Sequence, residues 1–182
     1  MAADESEWPL GPDGIPERHA SRVVLISPDG RLYLMKGHDT DDDDHAWWFT
    51  IGGGRDPGES ARDCAVRETW EETALKLSPE ILEGPVLHRT AIFHFAARDR
   101  RQFEDYFLAR LTEDQAMQLD EWNPTGLTEL ERDVLDGAAW LSPDEIDQLS
   151  AAGETFYPIG LAHMARTWIV GWDGSVPRVN ER

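Results

Sequence analysis

Glu68, Glu71 and Glu72 stand three and four positions apart, and on a helix, which turns about 100° per residue, that spacing puts three carboxylates on one side. The same phase places Ala61, Cys64, Ala65 and Leu75 with them, while Arg62, Asp63, Val66, Trp70 and Thr73 lie elsewhere. Glutamates that merely face water ought to sit opposite small residues that pack inward. Like charges at this spacing also repel by roughly 0.2–0.5 kcal/mol per pair, and a cation between them removes that cost. Oxygen donors suit hard ions such as magnesium or manganese rather than zinc. Upstream, Gly52, Gly53 and Gly54 offer a bare backbone that can bring a carbonyl to a metal or amides to a phosphate. Arg67 adjoins the first glutamate and can orient a carboxylate by a paired hydrogen bond; an exposed pair with Glu71 is the plainer alternative.

The run Gly53-x5-Glu59-x7-Arg67-Glu68-x-x-Glu71-Glu72 resembles the signature of the Nudix hydrolases, Gly-x5-Glu-x7-Arg-Glu-aliphatic-x-Glu-Glu-x-Gly-aliphatic. Every charged or glycine position up to Glu72 matches across both fixed gaps. Thr69 stands where an aliphatic residue is usual, Ala74 where glycine is, Ile51 for a common proline and Asp56 for a common glutamate. The resemblance implies an α+β fold, an α/β/α sandwich with a mixed sheet between helices. It implies hydrolysis of a nucleoside diphosphate linked to a group X, by water attack at phosphorus with Mg2+, or Mn2+ in its place. By position, Glu68, Glu71 and Glu72 fall on the family's metal-binding places and Gly53 on its loop carbonyl ligand. Glu59 and Arg67 fall on a supporting ion pair. The general base is then Glu68 or a glutamate of a later loop, where Glu131 is preferred to Glu129. The departures at Thr69 and Ala74 prompt an alternative, a non-catalytic Nudix-like module that senses a nucleotide.

Elements that would position these groups follow from local patterns. Runs 22–26 and 31–35 flank Ser27-Pro28-Asp29-Gly30 and predict a hairpin. Trp47 to Ile51 predicts a third strand, and its alternation turns Trp47 and Trp48 opposite ways, so at least one is core. Trp48 is a candidate to stack a base and Arg89 to meet phosphate. A helix is predicted from the Ser60 cap to about Leu75, with Ser60 and Asp63 spaced as a capping box. Val86–Phe95 and Phe103–Leu111 predict a second hairpin, in which Arg98, Arg100 and Arg101 make a solvated turn. Ala138–Leu141 reads as a short strand, followed by a helix opened by Ser142-Pro143-Asp144-Glu145 and a terminal helix over 158–172. Residues 1–20 read as an irregular arm, 21–172 as the folded domain and 173–182 as a tail. The acidic stretch Asp39 to Asp44 fails the calcium-loop pattern, which needs glycine at its sixth place and glutamate at its twelfth, and reads as a solvated loop. His88, His94 and His163 are scattered singly and read as packed or surface residues.

Bulk composition narrows the partners. A chain of 182 residues makes one core. Its net charge of -19 repels a phosphate backbone and argues against polymeric nucleic acid, whereas a bound divalent ion can reverse that field locally for a small phosphate substrate. Cys64 is the only cysteine, so a reducing compartment is expected, and no apolar run approaches the roughly 20 residues of a membrane helix. A cytoplasmic protein is expected, with no membrane partner and with a homodimer left open. Substrate choice is assigned to the segments 38–45 and 112–128.

Overall fold

The structure is a computed structural model, and it describes residues 8–39, 42–94, 99–120 and 134–181. Its strands are β1 (Glu17–Ile26), β2 (Leu32–Asp39), β3 (Asp42–Phe49), β4 (Ile51–Gly54), β5 (Glu83–His94), β6 (Asp99–Arg110), β7 (Leu135–Leu141), β8 (Thr155–Phe156) and β9 (Arg178–Glu181). The helices are α1 (Ala61–Thr73), α2 (Glu113–Met117), α3 (Pro143–Ala151) and α4 (Leu161–Val170). The strands form one sheet in the order β8-β3-β2-β1-β6-β5-β9, with β4 also on β1 and β7 also on β2. β1 runs parallel to β6, β3 to β8 and β5 to β9, and the other pairs are antiparallel. The mixed sheet between helices is the expected α+β architecture. Among the described residues no helix is long and apolar enough to cross a membrane.

Alternation along β1 separates two cores. Val23 and Leu25 join Tyr33, Met35, Ile51, Phe107 and Ala65 of α1 on one face. Val24 and Ile26 join Leu32, Leu34, Tyr106, Ile146 of α3 and Trp168 of α4 on the other. The first hairpin closes as predicted: the Ser27 N–H donates to the Arg31 carbonyl and the Gly30 N–H to that of Ser27, both at 2.9 Å, with Gly30 at φ 82.

Several boundaries differ from the sequence reading. The third strand is two, broken at Thr50, because Ile51 leaves β3 to pair with Val23 of β1. The acidic loop is mostly hairpin backbone, with Asp39 opposite Asp42. Residues 17–20, expected in an irregular arm, pair with β6, and Trp8 is buried beneath the guanidinium of Arg18. Residues 178–181, expected in a tail, form an edge strand on β5. Arg100 and Arg101 are in β6 rather than in a solvated turn: Arg100 lies over Trp8, and Arg101 pairs with Asp13 and Glu17. These ends are held by ion pairs and cation–π contacts, which strand patterns of apolar residues do not announce.

The strongest of these ties is buried. Glu104 on β6 is fully enclosed and accepts from Arg22 on β1 (3.0 Å), Arg89 on β5 (2.7 Å), Gln102 (2.7 Å) and the Tyr106 hydroxyl (2.9 Å). Arg89 in turn reaches Glu181 of β9 at 2.6 Å. Burial alone would raise the Glu104 carboxyl, but the two guanidinium groups outweigh it and bring it down from 4.5 to about 2. Because the folded value lies below the unfolded one, this contribution to stability is complete above about pH 4.5 and disappears as pH falls through about 2, amounting to on the order of 3 kcal/mol. Thermal melts from pH 7 to 2 are expected to show that acid loss in the native chain. Glu104→Gln is expected to be less stable at pH 7, by roughly 3–5 kcal/mol for removing the buried carboxylate that Arg22 and Arg89 share, and to show a shallower acid limb. An unchanged limb would contradict the assignment.

Candidate active site

Helix α1 begins where its sequence says. Ser60 is extended (φ -73, ψ 157) and its hydroxyl accepts from the Asp63 N–H at 3.1 Å. The small face of the helix packs on β4 and β1, with Cys64 and Ala65 fully buried. Glu68 and Glu72 are carried inward on that face, at 8% and 6% exposure, as the helical phase predicts. Glu71 lies at the margin with its side chain 39% exposed. Thr69 and Thr73 are buried as well, so the inward stripe is broader than the projection gave.

Against this face lies the glycine stretch of β4, residues 52–54, which carries no side chains. The Gly52 N–H donates to Glu72 Oε2 at 2.9 Å. A Cβ placed on Gly53 would stand 2.5 Å from Glu68 Oε2, so the Gly53 backbone abuts the Glu68 carboxylate directly. Gly52 has φ 135, and a Cβ there would run into the Ser21 carbonyl and stand 2.8 Å from the Arg22 Cα. On the other side Arg22 grips the loop, its Nη1 donating to the carbonyls of Gly52 (2.7 Å) and Thr50 (3.2 Å).

Arg67 binds the parts together. Its Nε and Nη2 take the two oxygens of Glu59 at 2.9 Å each, Nη1 takes Glu68 at 2.7 Å and Glu71 at 3.0 Å, and Nη2 also donates to the Gly54 carbonyl at 2.9 Å. The plain pair with Glu71 is therefore present, as one of several bonds. The hydrogen bonds to Glu59 raise Arg67 above the usual arginine range, and the same contact lowers Glu59. Desolvation raises Glu68 despite the nearby Arg67 charge. Burial likewise pushes the Cys64 thiol up to about 11, which leaves it an inert packing group.

The donor set is hard oxygen, and the Gly53 backbone lies beside it, which suits a divalent ion of the magnesium type. In the structure no three acidic, histidine or cysteine side chains among the described residues already converge on one metal position. Arg67 holds Glu68 and Glu71 instead. Glu59, Arg67, Glu68, Glu71, Glu72 and Gly53 are nonetheless in one cluster. Arg89 and Trp48 are not. Arg89 is 4% exposed and committed to Glu104 and Glu181, so its reading as a phosphate contact gives way to a structural one. Trp48 lies in the core opposite α1, stacked on Phe156 at 6.0 Å with its indole N–H on Glu154, so it does not face the glutamates. Glu129 and Glu131 lie outside the described residues, as do Arg98 and the side chain of His94. His88 meets Asp105 at 2.5 Å and His163 is exposed. Sequence reasoning missed Arg22 and Arg55, which brace the glycine strand from β1 and from the loop after it. Their partners are backbone carbonyls or distant carboxylates, and no spacing rule connects them.

Comparison with known proteins agrees with this geometry. The NUDIX domain profile matches residues 16–159. The chain belongs to the Nudix family. A protein of Rhodopseudomonas palustris named RNA pyrophosphohydrolase is 30% identical over 109 residues, 55% of this chain and 64% of that protein, so the alignment spans just under two thirds of the relative. One of the same name from Novosphingobium aromaticivorans is 28% identical over 145 residues, 75% of this chain and 84% of that one. Among solved structures, a NUDIX hydrolase from Nitrosomonas europaea shares the fold with a TM-score of 0.52 at 20% identity, covering 83% of this chain and 86% of its own.

The departures from the Nudix signature have local explanations. Thr69 is fully buried, and its hydroxyl donates to the Ala65 carbonyl one turn back at 2.7 Å, so it fills an aliphatic place without an unmet polar atom. Ile51 is buried in the core under α1 and pairs in β4. Asp56 is exposed, and its N–H donates to Glu59 at 3.0 Å. Ala74 is the costly one. The helix does not continue through it but ends at Thr73, and Ala74 caps it in the left-handed conformation at φ 58, ψ 8, with its N–H on the Trp70 carbonyl. It is the only non-glycine residue with positive φ among those described. Ala74→Gly restores the family residue and is expected to stabilise the fold by about 0.5–1 kcal/mol, net of the added freedom of the unfolded chain. A rise of roughly 1–4 °C in Tm checks this, and a fall would contradict it.

Proposed function

We propose that the chain hydrolyses a pyrophosphate bond in a nucleoside diphosphate linked to a group X, with Mg2+ or Mn2+ held by Glu68, Glu71, Glu72 and the Gly53 carbonyl. The observation that carries this reading is the closure of Glu59, Glu68, Glu71 and the Gly54 carbonyl around one guanidinium, Arg67, with Glu72 held to the same glycine stretch by the Gly52 N–H. When bound, such an ion neutralises phosphate charge and makes a bound water acidic. The chain's own part is positional. Glu59 holds Arg67, and Arg67 fixes Glu68 and Glu71 while drawing the Gly54 carbonyl toward them. The Gly52 N–H sets the rotation of Glu72. Either Glu68, whose carboxylate abuts the Gly53 backbone, or Glu131 is the base for the attacking water. The buried free thiol of Cys64 suits a reducing cytoplasm.

The names of the relatives favour a second reading in which X is the 5′ end of an RNA. A net charge of -19 disfavours long contact with a phosphate backbone, so a small molecule is the first choice. A panel of dinucleoside polyphosphates, nucleotide sugars and a 5′-triphosphorylated oligonucleotide, run with magnesium and with product identification, separates the two. Glu72→Gln is expected to lower kcat/KM on the best substrate by at least about 100-fold. If no compound turns over, or Glu72→Gln costs nothing, the hydrolase reading fails. Ligand binding that survives Glu71→Gln and Glu72→Gln without phosphate release would favour a sensing module instead.

A further inference from the structure

The face of the sheet that carries α1 extends past the helix. Gly53, Ser21, Asp105 and His88 are successive partners across β4, β1, β6 and β5. Two residues along, His19, Phe103, Thr90 and Asn180 form the next row on the same face across β1, β6, β5 and β9. Parity agrees: His19 alternates with Val23 and Leu25, and Phe103 with Phe107, all of the core under α1. His19 and Phe103 stack at 5.2 Å between ring centroids, 28° apart, with His19 exposed and Phe103 half-buried. Next to Phe103 along the sheet, a cavity of about 280 Å³ is lined by Thr90, Ile92, Arg101, Asn180 and Glu181.

We propose that the His19–Phe103 pair is the seat of the substrate's nucleobase, with Thr90 and Asn180 hydrogen-bonding its edge and Arg55 beside the phosphate chain. This rests on the hydrolase reading above and adds to it where the nucleoside lies. A flat aromatic surface left open on a sheet is what a base stacks on. The strand spacing of about 4.8 Å and rise of about 3.3 Å per residue put Phe103 roughly 12 Å from Gly53, a separation that a ribose and its phosphates bridge. Arg55 lies on that path, its Nε on Ser21 Oγ at 3.1 Å and its Nη2 on Asp105, while Nη1 has no partner among the described residues. Arg178, exposed at the end of the Gly53 row, adds a second positive charge in a chain whose net charge is -19. Local positive charge on so acidic a protein fits an anionic ligand.

The test compares wild type with His19→Ala, Phe103→Leu and Phe103→Trp, each first checked for an unchanged melt. On the best substrate of the panel, Phe103→Leu and His19→Ala are expected to raise KM by roughly 10-fold, the loss falling on KM rather than kcat, with Phe103→Trp close to wild type. Titration calorimetry with ADP is expected to show the same loss of affinity, while inorganic pyrophosphate binds all variants alike. Unchanged KM and unchanged ADP affinity in both truncated variants would overturn the seat and leave the hydrolase reading standing. If nothing in the panel turns over, the hydrolase reading fails, and the ADP titration still decides: affinity lost in Phe103→Leu upholds the seat, and affinity unchanged or absent in wild type overturns it.

Discussion

Glycine at 52 and 53 lets one short strand lie against β1 on one side and against the α1 carboxylates on the other, and most of the site depends on that double contact. The space for a side chain is already taken, by the Ser21 carbonyl at Gly52 and by Glu68 at Gly53. Backbone polar groups are thereby brought to the glutamates, and an amide fixes Glu72. A carboxylate enclosed against this backbone, with Glu71 and Glu72 on the same helix, needs positive charge nearby. Arg67 supplies it from within the helix.

Two guanidinium groups thus hold opposite sides of the same strand. Arg67 gathers Glu59, Glu68, Glu71 and the Gly54 carbonyl. Arg22 gathers the carbonyls of Thr50 and Gly52 and the buried Glu104. Through Glu104 and Arg89 the second network reaches β9, so the glycine strand is tied to the far edge of the sheet by ion pairs enclosed on the face away from α1. Charges buried in this way are costly unless every partner is present, and here each carboxylate meets at least one arginine.

The two faces of the sheet divide the work. One packs α3 and α4 over an apolar core that includes Trp48 and Phe156. The other carries α1 over part of its breadth and leaves the His19–Phe103 stack open.

The sequence by itself determined the carboxylate helix and its glycine loop. The gaps between Gly53, Glu59, Arg67, Glu68, Glu71 and Glu72 are local, and a helix converts spacing into direction through its fixed turn. The Ser60 cap and the first hairpin were legible for the same reason, since both are set within a few residues. Tertiary structure alone decided what joins distant positions. Arg89 looked available for phosphate until Glu104, 15 residues on, and Glu181, 92 residues on, enclosed it. Trp48 looked able to stack a base until strand order set it on the face away from α1. The alanine cap at Ala74 and the edge strand at 178–181 needed the fold as well, since a left-handed residue and a lone strand are stabilised by what they dock against. Sequence periodicity names the face of an element; only the packed sheet says what that face meets.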